Sequence, residues 1–203
     1  MRTKQRPNSG KPELVFVFRD GLSEGQILMA KLEELEAIKE GFQEYYGHQA
    51  EKLPPFVMVL ATKRHNRRFY SSNHENVLPG TVVSQGIARL GATEFYMQSA
   101  FPIQGTAKLT DYEVIENEAK LSVNDIQAFT HGMCYTHQIV SSAVSLPEPV
   151  YLAHELAKRG RNNLICYSDV SVVPRNADGI DYLKLNQKFT YLDNDLIHRR
   201  FTA

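Results

Sequence analysis

The stretch "FVFRDGLSEGQ", residues 16–26, sets an aspartate near the end of an apolar run and follows it with glycine and a helix-start signal. The run "LVFVF" (Leu14 to Phe18) is β-branched and aromatic without a polar break, which reads as a short strand covered on both faces inside an α/β sheet. Beyond it, Ser23 and Gln26 make a capping-box pattern. Ile27, Leu28, Leu32, Leu35, Ile38 and Phe42 then trace one face of a long helix. Asp20 therefore stands at a strand's carboxyl end, the edge of an open α/β sheet where ligands and chemistry collect. The local pattern leaves two roles open for it: a carboxylate at a ligand edge, or a cap for a turn with Gly21.

Composition sets the outer limits. The chain has 203 residues, 42% hydrophobic and 23% charged, the make-up of a globular domain with room for a sizeable core. Its start, "MRTKQRPNSGKP", is polar and basic; residues 1–13 read as a flexible lead-in, neither a secretory signal nor a membrane anchor. Apolar runs such as "FVMVLA" are too short to span a bilayer, so no membrane partner is expected. Cys134 and Cys166 lack any partner spacing, which points to reduced thiols in a cytosolic or nuclear compartment, and no Cys/His pattern suggests a metal cluster. A formal net charge of zero argues against a general nucleic-acid coat.

The distribution of charge says more than its sum. Residues 33–51 are acid-rich, whereas "KRHNRR" (Lys63 to Arg68), directly after the apolar "FVMVLAT", packs four formal positive charges and a histidine into six residues. "KRGR" (Lys158 to Arg161) closes a helical pattern, and "IHRRF" lies near the carboxyl terminus. Each cluster alone reads as a solvated face or a complement to a helix dipole. Together, at the ends of elements, they read as sites for phosphates.

The pattern predicts strands near 14–19, 56–62, 81–84, 94–99 and 111–116, helices near 24–46, 122–142 and 148–159, and an irregular tail from about 170. Alternating strands and helices indicate an α/β domain. "PEPVYLAHELAKRGR" opens with prolines suited to a first turn and places Tyr151, His154 and Lys158 on one face.

The blocks "FRDGLSEGQ", "KRHNRRFY", "LPGTVV", "FYMQSAFPIQGTAKLTDYEV", "LSVNDIQAFTHGMCYTH", "VSLPEPVYLAHELAKRGR" and the terminal "FTA" follow one another in the order and approximate spacing of the carboxyl-terminal portion of the PIWI domain of Argonaute proteins. The resemblance runs from about residue 14 to the last residue. It implies an RNase-H-like α/β fold, with 14–203 a partial PIWI domain that lacks the first strands of the sheet. It also implies that the chain carries no MID or PAZ sequence.

In that family, slicing members hold two metal ions with an aspartate on the first strand, a glutamate on a loop, a second aspartate in the Arg-Asp-Gly motif and a late histidine. By resemblance Asp20 matches the second aspartate and His154 the histidine, which makes both catalytic and metal-ligating candidates for Mg2+. The other two would precede residue 14, where the first carboxylate is Glu13. Two-metal hydrolysis needs clustered anionic ligands for cations about 3.5–4 Å apart. The expectation is weak Mg2+ binding and no slicing by this chain alone.

RNA-binding positions are better represented. By resemblance Lys63, Arg64 and Arg68 belong to the basic run that meets the guide backbone, with Asn66 in place of a second histidine, and Lys108 stands for a family arginine. Ser145 and Tyr151 match backbone-contacting hydroxyls, and Arg159 and Ala203 match groups of the guide 5′-phosphate pocket. His137 and Ile139 depart from a family tyrosine and arginine, which removes at least one charge-assisted hydrogen bond worth about 1.5–3 kcal/mol.

Three functions from different classes stay in view. The first is a non-slicing module that holds small guide RNA against target RNA and recruits silencing proteins. The second is a magnesium-dependent, RNA-guided endoribonuclease once the missing carboxylates are supplied. The third is a protein-interaction remnant without an RNA role. The resemblance places the protein in the cytoplasm, with the nucleus or RNA granules as alternatives. The chain is either part of a larger Argonaute or a truncated relative.

Overall fold

The computed structural model describes residues 11–46, 53–87, 89, 91–166, 173–177, 179–181 and 183–185, apart from the side chains at 163, 164 and 166. Residues 1–10 of the lead-in, the terminal "IHRRF" run and Ala203 lie outside the described residues.

Valine, isoleucine, phenylalanine and tyrosine drive five segments into one sheet: β1 (Val15–Asp20), β2 (Phe56–Thr62), β3 (Val82–Val83), β4 (Thr93–Met97) and β5 (Thr110–Asn117). Their order across the sheet is β1-β2-β5-β4-β3. β1 runs parallel to β2, from Val15 against Phe56 to Asp20 against Ala61, and the other neighbours are antiparallel. β2 is buried from Phe56 to Ala61, as an unbroken apolar strand between two partners must be.

Helices cover both faces of β1. The chain leaves β1 into a 3-10 turn (Glu24–Gln26), α1 (Ile27–Met29), a π-helical turn (Ala30–Glu34) and α2 (Leu35–Tyr46). Gln26 makes the expected cap, its side-chain oxygen accepting from the Ser23 N–H at 3.3 Å and hydroxyl at 3.0 Å. Ala30 and Leu35 bury against Phe56 and Met58, with Val15, Val17, Ile38 and Phe42 packed around them. On the opposite face, α3 (Val123–Met133) brings Phe129 to 4.5 Å from Phe16 and 6.3 Å from Phe18, ring centre to ring centre. β1 thus has the two-sided cover expected of it, yet Val15 to Phe18 are half-buried rather than buried, because β1 is the edge strand of the described sheet.

The apolar stripe of the first helix does not hold as one face. Leu35 is buried, but Leu28 and Leu32 are 64% and 58% exposed. The π turn explains this: its wider hydrogen-bond ring admits an extra residue, and one residue is worth about 100° of rotation in an α-helix. Positions before and after the turn therefore fall out of phase.

Two helix boundaries also differ from expectation. α3 is capped at Ser122, whose hydroxyl accepts from the Asp125 N–H at 3.1 Å, but it ends at Met133 rather than near 142. Tyr135 N–H closes on the Gly132 carbonyl at 3.0 Å and the Thr136 hydroxyl donates to the Met133 carbonyl at 2.9 Å, bonds that tighten the last turn and stop the ladder. α4 (Glu148–Cys166) runs past the expected end near 159, carrying Gly160 through its interior despite a cost of about 1 kcal/mol relative to alanine. The chain divides into two units, Met1–Glu148 and Pro149–Ala203. In addition to most of α4, the second contains a short hairpin of β6 (Arg175–Asn176) and β7 (Gly179–Ile180), where the sequence suggested irregular chain.

If β2 is the core strand, Met58→Ala should lower unfolding free energy by about 2–5 kcal/mol. Urea denaturation should show an earlier midpoint at unchanged slope; an unaltered midpoint would contradict this packing.

Candidate nucleic-acid interface

The parallel pairing of β1 with β2 puts their carboxyl ends side by side, and antiparallel β5 starts at that same edge, Asp111 lying against Thr62. Asp20, the basic turn after Thr62 and Lys108 before Thr110 are therefore gathered at one end of the sheet. Gly21 sits so close to β2 that a Cβ there would lie 3.2 Å from Thr62 Oγ1. Asp20 is exposed, and its Oδ1 accepts the Gly21 N–H at 2.9 Å, so the capping role is realised. The adjacent Arg19 makes a two-point bond with Glu34 of the π turn, at 2.7 and 3.0 Å, which ties the helical run to this edge and holds the Glu34 carboxyl below its ordinary value.

The segment 144–145 is brought to the same edge by two hydroxyls. Ser99 Oγ donates to the Val144 carbonyl at 2.7 Å and Thr110 Oγ1 to the Ser145 carbonyl at 2.8 Å. Pinned there, Ser145 Oγ accepts a hydrogen bond from Lys63 Nζ. Lys63 is half-buried, and burial first, then the nearby positive charge of Lys108, push its ammonium below the usual lysine range. Three of the positions expected to meet an RNA backbone, Lys63, Lys108 and Ser145, thus come together from three separate segments. Two cations held within mutual repulsion of each other form a site that an anion would relieve.

The remaining basic positions divide. Arg64 is exposed. Arg68 bends back on its own turn, donating to the carbonyls of His65 at 2.9 Å and Arg67 at 2.7 Å. Of the two departures, His137 pairs through Nδ1 with Glu148, and Ile139 is 68% exposed. Tyr151, His154 and Arg159 lie on α4, His154 exposed and the other two half-buried, and Lys158 pairs with Glu155 at 2.8 Å. They belong to the second unit, Asp20 to the first. Among the described residues no three His, Cys, Asp or Glu side chains are grouped to hold a metal ion. Asp20 and His154 by themselves are one carboxylate and one imidazole, fewer than the clustered anionic ligands that two-metal hydrolysis needs, and no chemical step is routed through Mg2+. No helix among the described residues is long and apolar enough to cross a membrane.

Sequence reasoning passed over a polar layer on β4 and β5. Glu94 faces Glu113 and Tyr96 faces Asp111 across the strand pair, with Arg67 and Arg89 set among them. The signal was present as acidic and phenolic side chains at every second position of "TEFYM" and "TDYEV".

Known proteins match this chain and its architecture. The Piwi domain family profile covers residues 2–165. Argonaute-2 of Drosophila melanogaster is 37% identical over 168 residues, 79% of this chain and 13% of that protein, and argonaute 1A of Oryza sativa subsp. japonica is 34% identical over 166 residues, 77% and 15%. The crystal structure of Drosophila Piwi superposes with a TM-score of 0.66 at 28% identity, covering 72% of this chain and 20% of that one. That of Kluyveromyces polysporus Argonaute with a guide RNA gives 0.66 at 26% identity, covering 73% and 18%. The chain therefore spans about a seventh of the length of the curated relatives it matches. Its mixed sheet with helices on both faces of β1 agrees with the RNase-H-like fold of these neighbours, and the chain belongs to the Piwi domain family of Argonaute proteins.

Proposed function

We propose that the chain binds the sugar-phosphate backbone of a small guide RNA, in the manner of a silencing module that pairs guide with target and recruits partner proteins. The observation that carries this reading is the convergence of Lys63, Lys108 and Ser145, with Arg64 exposed beside them, at the carboxyl edge of β1 and β2. Lysine ammonium groups and a hydroxyl contact phosphate oxygens without reading bases, so such binding is independent of sequence. Each charge-assisted bond contributes about 1.5–3 kcal/mol, enough for micromolar affinity when several act together. The Kluyveromyces polysporus Argonaute, crystallised with a guide RNA, supports the ligand class.

A second reading, magnesium-dependent cleavage, is favoured by the exposed carboxylate of Asp20 at the strand edge. It requires further carboxylates from outside the described residues. The two readings separate on Asp20→Ala, which should leave RNA affinity within about twofold while abolishing any cleavage, since a carboxylate neutralises no phosphate.

Binding of a short 5′-phosphorylated single-stranded RNA over a salt series tests the first reading. The triple variant Lys63→Ala, Arg64→Ala, Lys108→Ala should bind at least about tenfold more weakly, with a log–log salt slope shallower by about 2, since each phosphate neutralised on a single strand accounts for roughly 0.7 of the slope. An unchanged slope would remove the edge site from RNA binding.

Lys63 adds a pH signature. Its ammonium loses its proton below the usual lysine range in the unbound chain, whereas a bound phosphate favours the charged form. RNA affinity should therefore fall at a lower alkaline pH than an ordinary lysine would impose, and binding there should take up protons. Titration calorimetry in buffers of different ionisation enthalpy reads that uptake directly.

A further inference from the structure

The turn that carries the basic run is wrapped around one phenol. His65 meets the Tyr96 ring edge-on at 5.3 Å between centres, the Arg67 guanidinium lies 5.2 Å from the ring centre, and Phe69 packs against it at 5.1 Å. Alternate residues of the turn thus contact Tyr96; Arg64 before them and Asn66 between the first two are exposed, and Arg67 itself is partly open to solvent. His65 Nε2 also donates to the Leu109 carbonyl at 2.7 Å, beside Lys108.

Behind the ring, proton counting imposes a condition. The Tyr96 hydroxyl lies 2.6 Å from Glu94 Oε1 and 3.0 Å from Asp111 Oδ2, and it accepts from Arg67 Nη1. One phenolic proton cannot serve two carboxylates. Glu94 has the stronger claim to be the ionised one: although its side chain is only 2% exposed, Arg67 reaches it at 3.3 Å and the Arg89 N–H and Nε reach it at 3.1 and 3.5 Å. Burial pushes the Glu94 carboxyl up, but the bonds from Tyr96 and Arg89 and the charges of Arg89 and Arg67 outweigh it and hold it below its ordinary value. Asp111 has a buried Oδ1 with no hydrogen-bond partner among the described residues. The chain of bonds closes when Asp111 carries a proton and donates it to the phenol oxygen, which in turn donates to Glu94.

We propose that Glu94, Tyr96 and Asp111 form a proton-sharing rack that positions the basic turn 63–68 for binding an RNA backbone, acting through Arg67. The proposal rests on the RNA-binding reading above for its purpose, though not for its geometry. Besides Tyr96 and Glu94 on β4, the groups set around Asp111 are His65 and Arg67 on the turn, Glu113 on β5 and Arg89 before β4. Burial foremost, with the charge of Glu94, raises Asp111 to about 6 against the opposing bond from Tyr96 and the charges of His65 and Arg67. A carboxyl raised on folding contributes stability that is full below its unfolded value, 3.8, and is lost as pH rises through about 6. The turn is therefore held most tightly on the acid side.

Amide hydrogen exchange of residues 64–69, corrected for intrinsic rates, tests this on the whole chain between pH 5 and 7.5, with single-stranded RNA affinity measured in parallel. Wild-type protection should fall across about pH 6. Asp111→Asn, whose amide donates in place of the acid proton, should keep the acid-side protection at both ends of the range. Tyr96→Phe retains the ring but not the relay, and should lose about tenfold of protection and of RNA affinity with the salt slope unchanged, because no phosphate-binding cation is removed. A wild-type pH profile retained in Asp111→Asn, or unaltered exchange in Tyr96→Phe, overturns the proposal. The expected exchange without any RNA binding would refute the strand-binding reading and still support the rack's hold on the turn.

Discussion

The backbone pairing of β2 on both sides is the constraint from which the first unit follows. A strand buried from Phe56 to Ala61 can leave no N–H or carbonyl unpaired, so it must lie between β1 and β5. That placement decides the direction of everything at the site edge. Because β1 is parallel to β2, Asp20 and Lys63 emerge together; because β5 is antiparallel, Lys108 enters where they leave. A one-residue slip would exchange the side chains between the two buried faces of β2 and shift these groups out of register.

Much of this was legible in the sequence, and the reasons it was legible differ by element. β2 declared itself through an unbroken apolar run, and Asp20 through its position between a strand and a capping box. The grouping of Lys63 with Lys108 and Ser145 was not contained in any local pattern; family resemblance nominated all three, and hydroxyl pins at Ser99 and Thr110 explain why they meet. The failures have local causes. Periodicity read Leu28 and Leu32 as core because it assumes a constant helical pitch, which the π turn interrupts. α3 was overextended because the apolar residues beyond Met133 continue a helical rhythm that the Gly132 and Thr136 bonds cut short. Family resemblance set Arg68 in the basic run, and the structure adds that its guanidinium also braces its own turn.

The polar layer on β4 and β5 shows how a buried strand pair can serve a loop. Phe95 stacks on Tyr112 on one face, a centre-to-centre distance of 5.2 Å, and supplies apolar cover. The other face spends its burial on Glu94, Tyr96 and Asp111, an arrangement that is unfavourable unless each member is satisfied. Arg67 and Arg89 satisfy most of it, and a turn rich in like charges is thereby given a fixed path that mutual repulsion would otherwise open.

The π turn between Asp20 and the core has a consequence for change in the gene. A helix that carries one residue beyond its α-helical path can lose that residue without shortening the route, since the wide ring relaxes to an ordinary one. Leu28 and Leu32 would then rotate from solvent toward the packed face, while Leu35 and everything after it stayed in place. The segment is thus a point where a single-codon deletion can be absorbed, and where the loss of one residue would register as a rotation of one helical face rather than as a displaced sheet edge.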